Sequence, residues 1–267
     1  MQRYAVLLYD GSNAFITREY MYDALQHIQQ RIIIAAQQAG RDASQIRLIG
    51  VSKTHPAAAV AEAFAAGLAD FGENRVQEAE EKITTLSAQR SQLTWHLIGH
   101  LQRNKAKKAV QLFDYIHSVD SLELAQALSR HSQELGLAPR KILLQCNVSG
   151  EESKEGITAQ GWQQDAQLCQ QILTLAHQIG ELPGVVICGL MTVAPYSDNP
   201  SEVREVFRSL RLLRDQIAVV IPHHPCNELS MGMSGDMEVA IAEGATMIRI
   251  GRALFGERSY PPQGQVM

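Results

Sequence analysis

The chain has 267 residues, 45% of them hydrophobic and 19% charged, with a formal net charge of −4 at pH 7. That is long enough for a sizeable core, and the slightly acidic balance excludes a global basic field that would gather nucleic acid or anionic membrane. No apolar run approaches a bilayer span and the opening YAVLLYDG is too short for a signal h-region, so a soluble, cytoplasmic protein is expected.

Residues 1–20 follow no periodic pattern and read as a flexible N-terminal extension, with a compact domain over 21–258 and a short tail over 259–267. From 21 to 40, MYDALQHIQQRIIIAAQQAG has apolar residues at helical spacing and a closing glycine, the mark of a helix. Strand-like runs then alternate with helical patterns. The runs are IRLIGVSK (46–53), LADFGEN (68–74), TWHLIG (94–99), YIHSV (115–119), KILLQCNV (141–148), VVICGLMTV (185–193), ELSMG (228–232) and MIRIG (247–251). The seventh is the weakest, being short and preceded by a long connection. Cys146, Cys169, Cys188 and Cys226 form no CxxC pair and no zinc spacing, and read as reduced thiols.

Eight strand–helix alternations imply a parallel sheet, and eight in this length is the count of a TIM-type (β/α)8 barrel, here with an extra N-terminal helix. A doubly wound open sheet would usually carry a glycine-rich fingerprint after its first strand. Here that position holds VSKTHP, which favours the barrel.

Barrel chemistry sits at the C-terminal ends of the strands. Those ends carry Lys53; Glu73 and Asn74; His96 and Gly99; Ser118 and Asp120; Asn147; Met191; Ser230; and Arg249 with Gly251. Alternation puts Ile49, Val51 and Lys53 on one face of the first strand and Met247, Arg249 and Gly251 on one face of the eighth. Those strands are neighbours in a closed barrel, so Lys53 and Arg249 are expected side by side. Two adjacent cations call for an anion between them or a lysine that loses its charge. The alternative, open at this point, is that Lys53 snorkels to solvent and Arg249 pairs with a carboxylate.

Two glycine-rich turns enter helices, SMGMSGDMEVAIAEG (230–244) and RIGRALFG (249–256). They follow strands seven and eight, where this fold commonly holds phosphate. Ser234 or Asp236 could equally serve only as a helix cap. A lysine at strand one and a phosphate cup at strands seven and eight suit a compact phosphorylated aldehyde, pyridoxal 5′-phosphate (PLP), joined to Lys53 as a Schiff base.

Other patterns carry less. Arg103, Lys105, Lys107 and Lys108 read as a solvated helix face rather than a nucleic-acid patch. His96 and His100 lack a third ligand at metal spacing and read as structural or pocket-lining, so no metal site is expected. SGEESKEG (149–156) reads as a mobile loop on the site side, with Lys154 a solvated lysine or a second acceptor of PLP.

The strings VSK (51–53), FGENRVQE (71–78), WHLIGHLQRNK (95–105), HSVD (117–120), NVSGEESKEG (147–156), GLMTVAP (189–195), LSMGMSGD (229–236) and RIGRALFG (249–256) stand in order along nearly the whole chain. With them the chain resembles the pyridoxal-phosphate homeostasis protein family, whose barrel is similar to the N-terminal domain of alanine racemase. The resemblance implies a fold-type III-like barrel with Lys53 as the Schiff-base lysine and Arg249 facing the pyridine nitrogen. It implies Ser230 and the backbone at Gly251 in the phosphate cup, and Asn74 and Met191 lining the pocket. At the position after RIG, often a small hydroxyl residue on the phosphate, this chain has Arg252. The implied function is a monomeric, non-catalytic carrier that hands PLP to apo-enzymes.

The rival is an amino-acid racemase. A two-base racemase needs a second base opposite the lysine, supplied in alanine racemases by a tyrosine of a further C-terminal domain. After Gly251 the sequence offers Tyr260 alone, and Tyr196 after strand six is a substitute. The carrier is therefore expected.

Overall fold

Apolar runs too short for helices, each bounded by a turn, pair in parallel in a computed structural model that describes residues 18–151, 154–195, 197 and 199–256. Nine strands form: β1 (Arg47–Val51), β2 (Asp70–Glu73), β3 (Thr94–Leu97), β4 (Tyr115–Val119), β5 (Arg140–Asn147), β6 (Ile157–Thr158), β7 (Val185–Met191), β8 (Glu228–Ser230) and β9 (Met247–Ile250). The order β4-β3-β2-β1-β9-β8-β7-β5 closes on itself because β4 also pairs with β5. The result is the expected eight-stranded parallel barrel, with β6 a two-residue appendage on the end of β5. Two residues carry no readable periodicity, which is why the linear sequence does not announce β6.

The helices are α1 (Arg18–Gln38), α2 (Ala57–Ala65), α3 (Val76–Thr85), α4 (Ala106–Leu112), α5 (Leu122–Glu134), α6 (Ala166–Gly180), α7 (Pro200–Val220), α8 (Met237–Ala242) and α9 (Arg252–Phe255). Starts are well signalled. The Asp165 carboxylate accepts from the main-chain N–H groups of Gln167 and Leu168 at the head of α6, and Asn199 with Pro200 opens α7. Among the described residues, β9 is followed by the four-residue α9 alone. The N-terminal α1 packs against α8, α9 and α2, and so takes the seat in the outer ring that a full eighth helix would fill. Its buried face is Met21, Leu25, Ile28, Ile32, Ala35 and Ala36. The extra helix is thus a working part of the ring. Most of the extension expected over 1–20, and the tail expected over 259–267, lie outside the described residues.

Two cores result. The larger lies between strands and helices, and a small one fills the barrel, built from Ile49, Tyr115, Leu143, Cys188, Met191 and Met247. All four cysteines are free thiols, and burial pushes Cys146 and Cys226 up to about 12 and Cys188 to about 11. No described helix is long and apolar enough to cross a membrane.

Candidate functional site

At the C-terminal end of the barrel a cavity of about 260 Å³ opens among Asn74, Gly99, His100, Gln145, Lys154 and Met191, with Thr192 on its wall. Asn74 is set by its neighbour strand: a Cβ on Gly99 would lie 2.5 Å from the Asn74 carbonyl oxygen, so only glycine lets the two strand ends close this tightly. Asn147 organises the loop after β5. Its Nδ2 donates to the carbonyls of Glu151 (2.9 Å) and Lys154 (3.1 Å), and its Oδ1 accepts from Gly150 N (2.9 Å). Gln145 Nε2 donates to the Glu155 carbonyl (2.9 Å). The described part of the loop expected to be mobile is therefore pinned at both ends, with Lys154 on the cavity wall.

Beneath the cavity lies Arg249, only 5% exposed. It occupies β9 opposite Ile49 of β1, and so not opposite Lys53, the neighbour expected for it. Its Nη1 donates to Ser230 Oγ (2.7 Å) and its Nη2 to the Thr192 carbonyl (2.8 Å), while Thr192 Oγ1 donates to the Cys146 carbonyl (2.8 Å). Among the described residues no carboxylate reaches hydrogen-bond distance of it. Asp236 is the carboxylate whose charge favours the guanidinium from beyond that distance. Desolvation lowers its pKa to about 10, so it keeps its charge at neutral pH.

A line of buried polar groups runs from Ser230 down the barrel. Ser230 Oγ lies 2.9 Å from His117 Nδ1, His117 Nε2 2.9 Å from His96 Nδ1, and His96 Nε2 2.9 Å from Asp70 Oδ1. Burial lowers the pKa of both histidines, so both rings are neutral. A carboxylate only accepts, so His96 donates to Asp70 through Nε2 and accepts at Nδ1 from His117 Nε2–H. His117 Nδ1 then accepts the Ser230 hydroxyl proton. That proton is committed to His117, and Ser230 faces Arg249 as an acceptor. Nothing in the linear sequence singles out His117, because a histidine in an apolar strand gives no hint of its neighbours.

Lys53 lies two residues past β1. The strand ends at Val51, Ser52 N adds one more ladder bond to the Gly72 carbonyl (3.1 Å), and Lys53 begins a turn in which Thr54 takes φ 69°. Lys53 is half-buried. Glu73, expected at a strand end, is fully buried against Ser52 and Lys82. Lys82, on α3, also escapes sequence reasoning, since an exposed helix lysine is the default. The Gly251 turn caps α9 beside Val51, where a Cβ would meet ordinary contacts at 3.6 Å. Asp236 precedes α8, but its Oδ1 accepts from Met233 N (2.5 Å) and so closes the turn instead of capping the helix. His96 is structural and His100 lines the cavity, near Asp120 (3.8 Å) and Glu155 (3.4 Å). Lys107 and Lys108 sit exposed on α4, with Lys108 paired to Glu80 (2.5 Å). Tyr196 and Tyr260 lie outside the described residues.

A second cavity, about 460 Å³, opens at the opposite end among Arg47, Asp70, Arg90, Asp114, Tyr115 and Lys141. Asp114 takes Arg90 (3.1 Å) and Trp95 N (2.8 Å), Asp70 takes His96 (2.9 Å) and Arg47 (3.5 Å), and the exposed Lys141 lies over the Tyr115 ring (4.8 Å to its centre). The C-terminal end, where this fold places chemistry, holds the buried Arg249 with no carboxylate at hydrogen-bond distance among the described residues.

Comparison with known proteins agrees. The family model described as alanine racemase, N-terminal domain, matches residues 24–259. A pyridoxal phosphate homeostasis protein of Haemophilus influenzae is 39% identical over 236 residues, covering 88% of this chain and 95% of that one. The protein of the same name from Pseudomonas aeruginosa is 43% identical over 233 residues, covering 87% and 94%. PipY of Synechococcus elongatus, in a structure with PLP bound, is 39% identical with a TM-score of 0.75, covering 88% of this chain and all of that one. With matches of this extent and a barrel of this form, the chain belongs to the pyridoxal phosphate homeostasis protein family, built on the alanine racemase N-terminal domain barrel.

Proposed function

We propose that this protein binds PLP at the C-terminal end of the barrel, holds it as a Schiff base on Lys53 and passes it to apo-enzymes without robust catalysis of its own. The observation that carries this reading is Arg249, a buried guanidinium without a direct carboxylate partner among the described residues, one strand from the strand that leads to Lys53. The residues fit the group. An amine answers an aldehyde, a guanidinium answers a ring nitrogen, and the N–H groups that open α9 at Gly251 have no intrahelical acceptor and answer a phosphate. Asn74 and Met191 flank the group. Ser230, its proton given to His117, serves the cup by fixing Arg249, which leaves the phosphate to main-chain donors. Arg252 contributes its amide there and not its side chain.

PLP supplies an electron sink when its ring nitrogen is protonated. Arg249 stays cationic and only donates, so a ring nitrogen held against it would accept its N–H, keep its lone pair and give a weak sink. That supports storage over turnover, as does the naming of the curated relatives as homeostasis proteins. The racemase remains the rival, and Lys154 on the cavity wall is available as a transient second acceptor during release. Four free thiols, three of them buried, suit a reducing cytoplasm, and we assign the protein to act there. A monomer is the expectation carried from the family resemblance.

The test is the visible spectrum of the purified protein with added PLP, before and after borohydride, beside Lys53→Ala. A yellow band abolished by borohydride in the wild type, with the reduced adduct mapped to Lys53 by mass spectrometry and absent from the variant, is expected. A wild-type protein that stays colourless with PLP overturns the assignment.

A further inference from the structure

A buried ion-pair network flanks Lys53 on both sides. Lys82 is 5% exposed and Glu73 fully buried, with Nζ–Oε1 at 2.6 Å. An ammonium has three N–H donors, and all three are used: on Glu73, on Glu78 Oε1 (2.7 Å) and on the main-chain carbonyl of Ser52 (2.8 Å). Both acceptor carboxylates serve twice. Glu73 Oε1 also takes the Ser52 hydroxyl (2.6 Å), and Glu78 Oε1 also takes the main-chain N–H of Thr54 (2.5 Å). Ser52 is thereby held by carbonyl and side chain, and Thr54 by its amide. The residue between them is Lys53.

Thr54 has a positive φ of 69°, a region β-branched residues avoid, so the turn needs an outside hold. Glu78 supplies one at its amide, and a second bond runs from His55 N to the Ser52 carbonyl (3.1 Å). Burial raises the Glu73 carboxyl above its ordinary value despite Lys82 beside it, and its Oε2 is buried without a hydrogen-bond partner among the described residues. An apolar pair of similar volume would generally be as stable as such an ion pair, or more so. Stability alone therefore does not account for it. What charges supply and methyl groups do not is direction at main-chain atoms.

We infer that Lys82 is a positioning residue: with Glu73 and Glu78 it clamps the main chain on both sides of Lys53 and so sets where the Lys53 amine stands. This inference rests on the proposed role of Lys53 as the anchor.

The test exploits the difference between stability and direction. The double variant Glu73→Leu with Lys82→Met keeps an apolar filling and removes the hold on Ser52, leaving Glu78 on the Thr54 amide. The full chain is mixed with PLP and quenched with borohydride at timed intervals, and the Lys53 adduct is quantified by mass spectrometry beside a thermal melt. The expected result is a melting temperature within a few degrees of wild type with adduct formation on Lys53 slowed at least 10-fold. Lys82→Arg, which keeps the charge, is expected to recover part of that loss. A folded double variant that forms the adduct at the wild-type rate overturns the inference. If the double variant does not fold, Glu78→Ala, at a half-buried position, reads the same clamp through Thr54 alone: slowing supports it and a wild-type rate overturns it. Wild-type protein unlabelled on Lys53 would instead overturn the anchor reading beneath.

Discussion

At the scale of single residues, the barrel interior is governed by which groups can donate and which can only accept. His96 and His117 are both fully buried and neutral. In the unfolded chain they return to the ordinary histidine value of 6.5, so below that pH the unfolded chain takes up protons that the folded chain refuses. Their contribution is complete above about pH 6.5 and is lost as pH falls below it, by up to about 1.4 kcal/mol per pH unit per ring. Glu73 and Asp236, raised by burial, act with the opposite sign and offset part of the loss at lower pH. Urea midpoints measured at steps from pH 7.5 to 5.5 should decline, and His117→Gln should flatten the decline; a level wild-type profile would contradict neutral buried rings. His117→Ala strips partners from Ser230 and His96 together, and a loss of about 2–5 kcal/mol is expected in the same titration at pH 7.5. Lys53 and Arg249 were legible in the sequence because a charge inside an apolar run demands a reason. Lys82 and His117 were not, because their significance lies in what faces them across the fold.

At the scale of elements, the eight barrel strands could be read from the chain because each apolar run stops at a turn residue, and several of their ends line the C-terminal cavity. Their limits were read too generously. The pattern for β1 was carried through Lys53, whereas pairing ends at Val51 with one further bond at Ser52, so Lys53 sits in a turn and its direction is set by side chains of β2 and α3. Alternation cannot describe a residue beyond the strand. Contacts between strand ends set the site in the same way. Gly99→Ala would drive a methyl group into the Asn74 carbonyl, a main-chain atom, and the two strand ends must separate. We expect about 1–3 kcal/mol of lost stability and weaker PLP uptake, read by a melt and by absorbance titration. Gly40→Ala gives the contrast: a Cβ there meets nothing within 4 Å, and its cost comes from its φ of 63° alone, with PLP uptake unchanged.

At the scale of the whole molecule, the first helix completes a ring that the last helix is too short to close. Met21, Leu25, Ile28 and Ile32 are each at most 5% exposed against α2, α8 and α9. At about 1.5–3 kcal/mol per large side chain, removing α1 forfeits roughly 6–12 kcal/mol, comparable to the whole stability of a typical domain. A chain beginning at residue 41 should therefore lack a cooperative thermal transition, and a sharp melt near that of the full chain would show α1 to be dispensable. The same closure has a consequence in time. β1 finds β9, and α1 finds α8, only when residues 237–250 have left the ribosome. At roughly 5–20 residues per second, the apolar stripe of α1 waits on the order of 10–40 s for its seat. The nascent protein spends that interval as an unclosed sheet with a sticky helix already made, which makes the stretch from α8 to β9 the one that decides between a barrel and an aggregate.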